Sequence, residues 1–342
     1  MSVSIIPLSE ADQASVRQLL LRSWGRDWTD EVMERYFAWR YRGRSNGETL
    51  VACDNGRSVG ILDSFIRPYW IAGRWEPVRE TCDWFCLPEY QALGVGLHLM
   101  RRMMSRPEPI LLLGGSNDTL DLVPRLKWAR LPNAERYLLP VSTRAAFSRL
   151  GRRLGRYGDA LARIIPDVRL LRRMRRPPPP SANAEVRTRT LGAAVEEAAR
   201  IVAHDFAPAL DTSSLDWLAS APDVLGEFVL LGFFSEGKLV GVSVSRLQTL
   251  SFGGEAQIVH MHAARLELID WIAGETVQHL LDRGAGAIAC ETSCPVSGRA
   301  LRALGFVRRR PVPVHWWHAN KPPPSGVLNL TSLRADDALA FA

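Results

Sequence analysis

The sequence predicts an α/β fold, an α+β mixed sheet carried twice along one chain. Three observations point there. A strand-like run, Val78 to Leu87, passes through a small-residue loop into a helix-like run, Val95 to Ser105. A hairpin, strand, helix, strand, helix succession begins near residue 48 and begins again near residue 227. Between the two stands Pro177-Pro178-Pro179-Pro180, which must leave helix for extended geometry.

The elements follow in order. Glu48 to Cys53 and Ser58 to Ile66 read as two strands turned at Asp54-Asn55-Gly56. After the run at 78–87, Gly94 and Gly96 open a helix whose face Leu97, Met100, Met103 and Met104 is expected on the sheet, with Arg101, Arg102 and Arg106 wet. Pro109 to Gly115 reads as a buried strand, and Asn117 to about Trp128 as a helix. The second half repeats this. Glu227 to Phe234 and Lys238 to Leu247 turn at Ser235-Glu236-Gly237. Glu255 to Ala264, Leu268 to Arg283, Ala287 to Glu291 and a helix ending at Leu304-Gly305-Phe306 follow. The expected organisation is a first domain over 1–142, a basic helical connector over 143–185, a second domain over 186–320 and a tail over 321–342.

Composition narrows the class. At 342 residues and 46% hydrophobic, the chain supports two separate cores. No apolar run approaches the roughly 20 residues that span a bilayer. Met1-Ser2-Val3-Ser4 lacks a basic start and an apolar core, so a cytoplasmic protein is expected. The five cysteines, Cys53, Cys82, Cys86, Cys290 and Cys294, form no disulfide framework. The two C-x-x-x-C spacings sit in apolar runs and read as small buried residues, so no metal is expected.

The net charge of +7 is a local property. Arg144 to Arg176 holds eleven arginines against Asp159 and Asp167, so that segment carries +9 and the remainder sums to −2. Leu150, Leu154, Tyr157, Leu161, Ile164 or Ile165, Val168, Leu171 and Met174 recur at steps of three and four, one apolar helical face among arginines. This segment reads either as a packed helix with solvated arginines or as a dock for an acidic carrier protein or an anionic surface. Base-stacking aromatics are scarce there, which argues against nucleic acid.

The loop carries the chemistry. The first turn of a helix has unpartnered N–H groups and a dipole that favours an anion, and glycines at 94 and 96 let a diphosphate approach. Asp83-Trp84-Phe85-Cys86-Leu87-Pro88-Glu89-Tyr90-Gln91-Ala92-Leu93-Gly94-Val95-Gly96 resembles motif A of the GNAT superfamily of N-acyltransferases, with Pro88, Gln91, Gly94 and Gly96 on the expected offsets. The resemblance covers roughly residues 1–142. It implies acyl-CoA, most simply acetyl-CoA, as co-substrate. The pyrophosphate would lie on the amides of Gln91, Ala92, Leu93, Gly94, Val95 and Gly96. The backbone at Phe85, Cys86 and Leu87 would hold the pantetheine arm and the oxyanion. Asn117 would contact the pantetheine arm or cap its own helix.

Acyl transfer to an amine also needs a proton acceptor. Asp83 and Glu80 are the candidates, Asp83 preferred as nearer the thioester in sequence, and the bulge common in this strand would alter their parity. A Cys86 nucleophile is the runner-up, weakened by the want of a histidine to make a thiolate. The family often has a tyrosine general acid five residues before its Leu-Gly-Phe phenylalanine. Val123 and Leu301 stand there instead, and Tyr137 is a conceivable substitute. The acceptor region between the first two helices holds Trp24, Trp28, Tyr36, Phe37, Trp39 and Tyr41, read mostly as core.

The second half runs Ala263-Ala264-Arg265-Leu266-Glu267-Leu268-Ile269-Asp270 where the loop should be, with no glycine and two acids, so it is expected to be a degenerate copy. His260 and His262 share one strand face and read as core histidines. The function expected is acyl transfer from acyl-CoA to a small-molecule or peptide amine by direct attack in a ternary complex. The alternatives are a long-chain acyltransferase using acyl-CoA or acyl-carrier protein on a peptide, amino acid or amino sugar, a Fem-like transfer from aminoacyl-tRNA that the intact loop disfavours, and a non-catalytic acyl-CoA sensor.

Overall fold

The computed structural model describes residues 3–24, 28–44, 46–143, 177–189, 204–210, 212–250 and 253–332, together with 168 and 170. The basic segment Arg144–Arg176 falls almost wholly outside them, so its helix and its docking role are not described.

The chain forms two compact units. Among the described residues, one comprises residues 3–132 and Pro313–Pro324; the other comprises those between Asn133 and Val312 together with 325–332. These bounds differ from the expected divisions at 142 and 320, and the reason is an exchange of strands.

In the first unit, β1 (Ser4–Pro7) pairs with β2 (Gly47–Asp54), which turns through Asn55-Gly56 into β3 (Arg57–Ile71). Asn55 and Gly56 both have positive φ, as a tight hairpin requires. β3 pairs antiparallel with β4 (Arg74–Cys86), and β4 lies parallel to β5 (Ile110–Leu113). The sixth strand arrives from the far end of the sequence. Val314–Trp317 of β13 (Val307–Trp317) pair with Leu113–Ile110. Helices α1 (Gln13–Trp24), α2 (Asp30–Phe37), α3 (Pro88–Gln91), α4 (Val95–Met104) and α5 (Asn117–Arg125) complete the unit. Thr29 caps α2 through Val32 N–H. The sheet-facing stripe of α4 is Val95, Leu99, Met100 and Met103. Arg101 and Arg102 are exposed, whereas Arg106 pairs with Glu48.

The second unit has the same plan. Its strands run in the order β7 (Ala184–Arg189), β9 (Glu227–Ser235), β10 (Lys238–Leu250), β11 (Gly253–Ala263) and β12 (Ala285–Thr292). Glu135–Pro140 of β6 (Ala129–Pro140) pair with Thr292–Ala287 as its sixth strand. Short β8 (Phe206–Pro208) and helices α6 (Thr212–Ala219), α7 (Ile269–Asp282) and α8 (Pro295–Ala303) belong here too. Ile258, Ile272, Val277, Leu280, Ile288 and Leu301 form the centre of its apolar core, all fully buried. Each half of the sequence thus gives its last strand to the other unit's sheet.

Candidate functional site

The first unit opens between β4 and β5. The parallel ladder joins Arg79, Glu80 and Thr81 to Ile110, Leu111 and Leu112. Beyond Thr81, β4 continues to Cys86, paired with β3 on one side, while its other edge has left β5. Two strands that diverge leave backbone N–H and C=O groups along the gap, able to receive an extended polar chain. Phe85 and Cys86 lie on that diverging edge, and Leu87 follows it as the N-cap of α3.

The loop after the gap closes on itself. Gly94 N–H donates to Gln91 O at 2.9 Å, and Gly94 takes φ 73° and ψ 20° as the N-cap of α4. Only glycine adopts that left-handed conformation without strain. Gln91, Ala92 and Leu93 are exposed, and Gly94 and Gly96 partly so, which leaves the loop open to solvent. Gly96 lies in ordinary helical backbone. A Cβ there would stand 3.4 Å from Trp84 Nε1, whose indole donates to Gly96 O at 2.9 Å. The Gly96 N–H turns toward the Cys86 sulfur. Burial pushes the Cys86 thiol up despite that hydrogen bond, so a thiolate nucleophile is not favoured near neutrality.

The two carboxylates have unlike surroundings. β4 carries a bulge: Ile61 faces Phe85 but Asp63 faces Cys82, so Asp83 and Trp84 together oppose Leu62. Asp83 sits in the bulge with φ 47°. Its Oδ2 accepts from Arg40 Nη2 at 2.7 Å, Arg40 Nε at 3.1 Å and Tyr41 Oη at 2.6 Å. Arg40 and Tyr41 reach it because α2 runs into a π-helical turn, Ala38–Arg42. Burial works against the Asp83 charge, but the Arg40 guanidinium and the Tyr41 hydroxyl outweigh it and hold the carboxyl below its ordinary value. Burial and Asp83 push Tyr41 well up, so it stays a donor. The preference for Asp83 as proton acceptor therefore meets an obstacle that sequence distance did not show: its carboxylate is an ion-pair partner.

Glu80 is one strand position from the last rung. Its Oε1 accepts from Tyr69 Oη at 2.7 Å and lies 3.7 Å from Arg67 Nη1, while Oε2 has no partner among the described residues. Asp63, Cys82 and Asp83 come within 4.8 Å of one another, a donor group of metal type. Arg40 and Arg44 both pair with Asp63, so two guanidinium cations already fill the counter-ion role there. Asn117 is exposed at the start of α5, and the cap is Ser116, whose Oγ accepts from Thr119 N–H at 3.2 Å. The capping role expected for Asn117 thus belongs to its neighbour.

Val123 and Leu301 are fully buried, and Tyr137 belongs to the second unit, where its hydroxyl accepts from Arg302 at 3.2 Å. Tyr36, Phe37, Trp39 and Tyr41 are core, as expected. Between α1 and α2 lies a cleft of about 420 Å³ lined by Arg17, Gln18, Asp30, Glu31 and Glu34 among others. Sequence reading missed several residues of the site, Arg40 and Tyr69 among them. Nothing local marks Arg40, which meets Asp83 across 43 positions of chain. Tyr69 lies 11 positions from Glu80, across the β3–β4 hairpin.

Comparisons with known proteins agree with this geometry. Residues 14–106 match the Acetyltransferase (GNAT) family. A probable N-acyltransferase from Enterococcus faecalis aligns with TM-score 0.60 at 12% identity, over 92% of this chain and 72% of that one. A GCN5-related N-acetyltransferase from Anabaena variabilis gives TM-score 0.60 at 11% identity with the same coverage. A tandem GNAT protein from the clavulanic acid biosynthesis pathway gives TM-score 0.56 at 14% identity, over 94% of this chain and all of that one. No curated protein matches the sequence.

Proposed function

We propose that this chain is a tandem member of the GNAT superfamily and that its first unit carries an acyl group from acyl-CoA to an amine. The observation that supports this most is the coincidence of two features in one unit. β4 leaves β5 after Thr81, and the open loop at 91–96 runs straight from that gap into the Gly94-capped α4. The diphosphate lies on the loop amides from Gln91 to Gly96, and Asn117 contacts the pantetheine arm. The pantetheine arm extends along Phe85, Cys86 and Leu87. The amides at the bulge receive the oxyanion as the amine attacks the thioester carbonyl.

Glu80 is the proton acceptor in this proposal. One of its oxygens is held by Tyr69 and lies 3.7 Å from Arg67, and the other has no hydrogen-bond partner among the described residues. Asp83 positions Tyr41 and Arg40 and shapes the bulge. A CoA thiolate is a stable enough leaving group to depart without the tyrosine that Val123 replaces. Among the described residues no helix is long and apolar enough to cross a membrane.

Thermal shift with acetyl-CoA, CoA and long-chain acyl-CoA, followed by thiol release across an amine panel, tests the proposal. Stabilisation by a thioester with turnover of an amine is the expected result, and no stabilisation by any of them refutes it. Stabilisation without turnover would establish the second reading, an acyl-CoA sensor, which the buried Val123 in the tyrosine position favours.

A further inference from the structure

The second unit keeps the gap but fills it from within. β11 pairs with β12 only as far as Ile258 and Cys290, then continues to Ala263, with a bulge at Val259. The C-terminal segment enters there. Ser293 N–H donates to Leu330 O at 2.9 Å, and Leu330 N–H donates to Ser293 Oγ at 2.8 Å. Thr331 bridges to Thr292, and Asn329 Nδ2 donates to Met261 O at 3.1 Å. On the other side of the same segment, Asn329 N–H donates to Phe206 O at 2.8 Å.

Three histidines gather beside this segment. His260 and His262 are two residues apart on β11 and share a face. Their rings stack with centroids 5.7 Å apart and planes at 21°. His204, just before β8, brings a third ring to 6.0 Å from His262. The three are 1%, 3% and 4% exposed for His260, His262 and His204. His260 Nδ1 meets Thr331 Oγ1 at 2.8 Å. Both ring nitrogens of His204 and Nδ1 of His262 have no hydrogen-bond partner among the described residues, and neither do Asn329 Oδ1 and Ser332 Oγ. A buried polar atom without a partner costs about 1–3 kcal/mol, and such atoms are few in a native fold. Five of them fall on residues of this neighbourhood, and three of the five belong to imidazoles.

We propose that His204, His260 and His262 form a buried site for a divalent transition-metal ion that prefers imidazole, Zn²⁺ above Mg²⁺ or Ca²⁺. Two histidines spaced i, i+2 on a strand with a third from another segment supply the three nitrogens of a tetrahedral site. The donor set is nitrogen, which excludes the hard, oxygen-seeking cations. As they stand the three nitrogens do not all lie within 4.8 Å of one another, so binding turns the rings about χ1 and χ2. The ion joins β11 to the segment entering β8. Through the His260–Thr331 hydrogen bond it also secures the C-terminal segment in the gap. Its role is structural, and it lies in the unit that lacks the glycine loop, so it stands apart from the acyl-transfer reading.

The test uses the tag-free full chain, stripped with a chelator and titrated with Co²⁺ and Zn²⁺. The expected result is a single ion per chain by elemental analysis, a tetrahedral Co²⁺ ligand-field spectrum and a rise in Tm with Zn²⁺. His204→Gln and His262→Gln lose the spectrum, whereas a variant changed at exposed His98 keeps it. No stoichiometric binding by the wild-type chain overturns the proposal, as does a spectrum that survives both glutamine variants. Should those variants misfold, X-ray absorption of the Zn²⁺-loaded wild-type chain decides: three imidazoles support the site, and fewer overturn it.

Discussion

An aspartate at φ 47° in mid-strand is strained by about 1–2 kcal/mol, and Asp83 is kept there by Arg40 and Tyr41. Arg40 is fully buried, so its charge depends on the carboxylates beside it. Asp83→Asn removes the 2.7 Å ion pair of the buried Arg40 guanidinium and is expected to cost about 3 kcal/mol in urea unfolding. The pH dependence has a defined sign. The folded-state pKa of Asp83 lies below the unfolded value, so its stabilisation is complete above about pH 4 and is lost as pH falls through the folded value. The Asp83→Asn variant should show a shallower acid limb than the wild type in stability measured against pH. Glu80→Gln should behave in the opposite way. It keeps the hydrogen bond from Tyr69 but removes the base, so kcat should fall about 10²–10⁴-fold while acyl-CoA affinity holds. Equal loss in Asp83→Asn and none in Glu80→Gln would exchange their roles.

At the scale of elements, the strand–loop–helix passage decides whether a diphosphate is held. Gly94 and Gly96 separate two effects that glycine has. A Cβ on Gly94 meets nothing within 4 Å, but φ 73° makes alanine strained, so Gly94→Ala should lose about 1–2 kcal/mol of stability. A Cβ on Gly96 lies in helical backbone at 3.4 Å from Trp84, so Gly96→Ala should change stability little. Both should weaken acyl-CoA binding roughly tenfold, the worth of one hydrogen bond to a charged group. Calorimetric titration beside thermal unfolding would show the split, and unchanged affinity in both variants would move the diphosphate elsewhere. This passage was legible in the sequence because its information is local: β4 ends and α4 begins within a residue or so of where apolar spacing and the two glycines place them. The bulge was not, because it exists only as a mismatch between β3 and β4, and no single strand encodes its partner's register. Ser116 and Asn117 are both good caps, so spacing alone could not choose between them.

At the scale of the molecule, the exchange of final strands makes the two halves of the sequence interdependent. β5 is a short strand of Ile-Leu-Leu-Leu, and its partner Val314–Trp317 comes some 200 residues later, which no local pattern reveals. Trp316 and His315 are buried in the first unit although they lie in the second half of the sequence. Burial pushes His315 down to about 4, with Arg130 adding to the effect, so it is neutral near pH 7. A fragment of residues 1–142 would contain the whole proposed acyl-CoA site yet lack this strand. It would expose the edge of Ile110–Leu113, an apolar strand edge of the kind that templates aggregation. The fragment is expected to be insoluble or to unfold without cooperativity, and to give no thermal shift with acetyl-CoA. Co-expression with residues 143–342 should restore both solubility and the shift, because that piece supplies Val314–Trp317 and receives Glu135–Pro140 as an added strand from the first fragment. A 1–142 fragment that folds alone and binds acyl-CoA as tightly as the full chain would show that the exchanged strand is dispensable to the site.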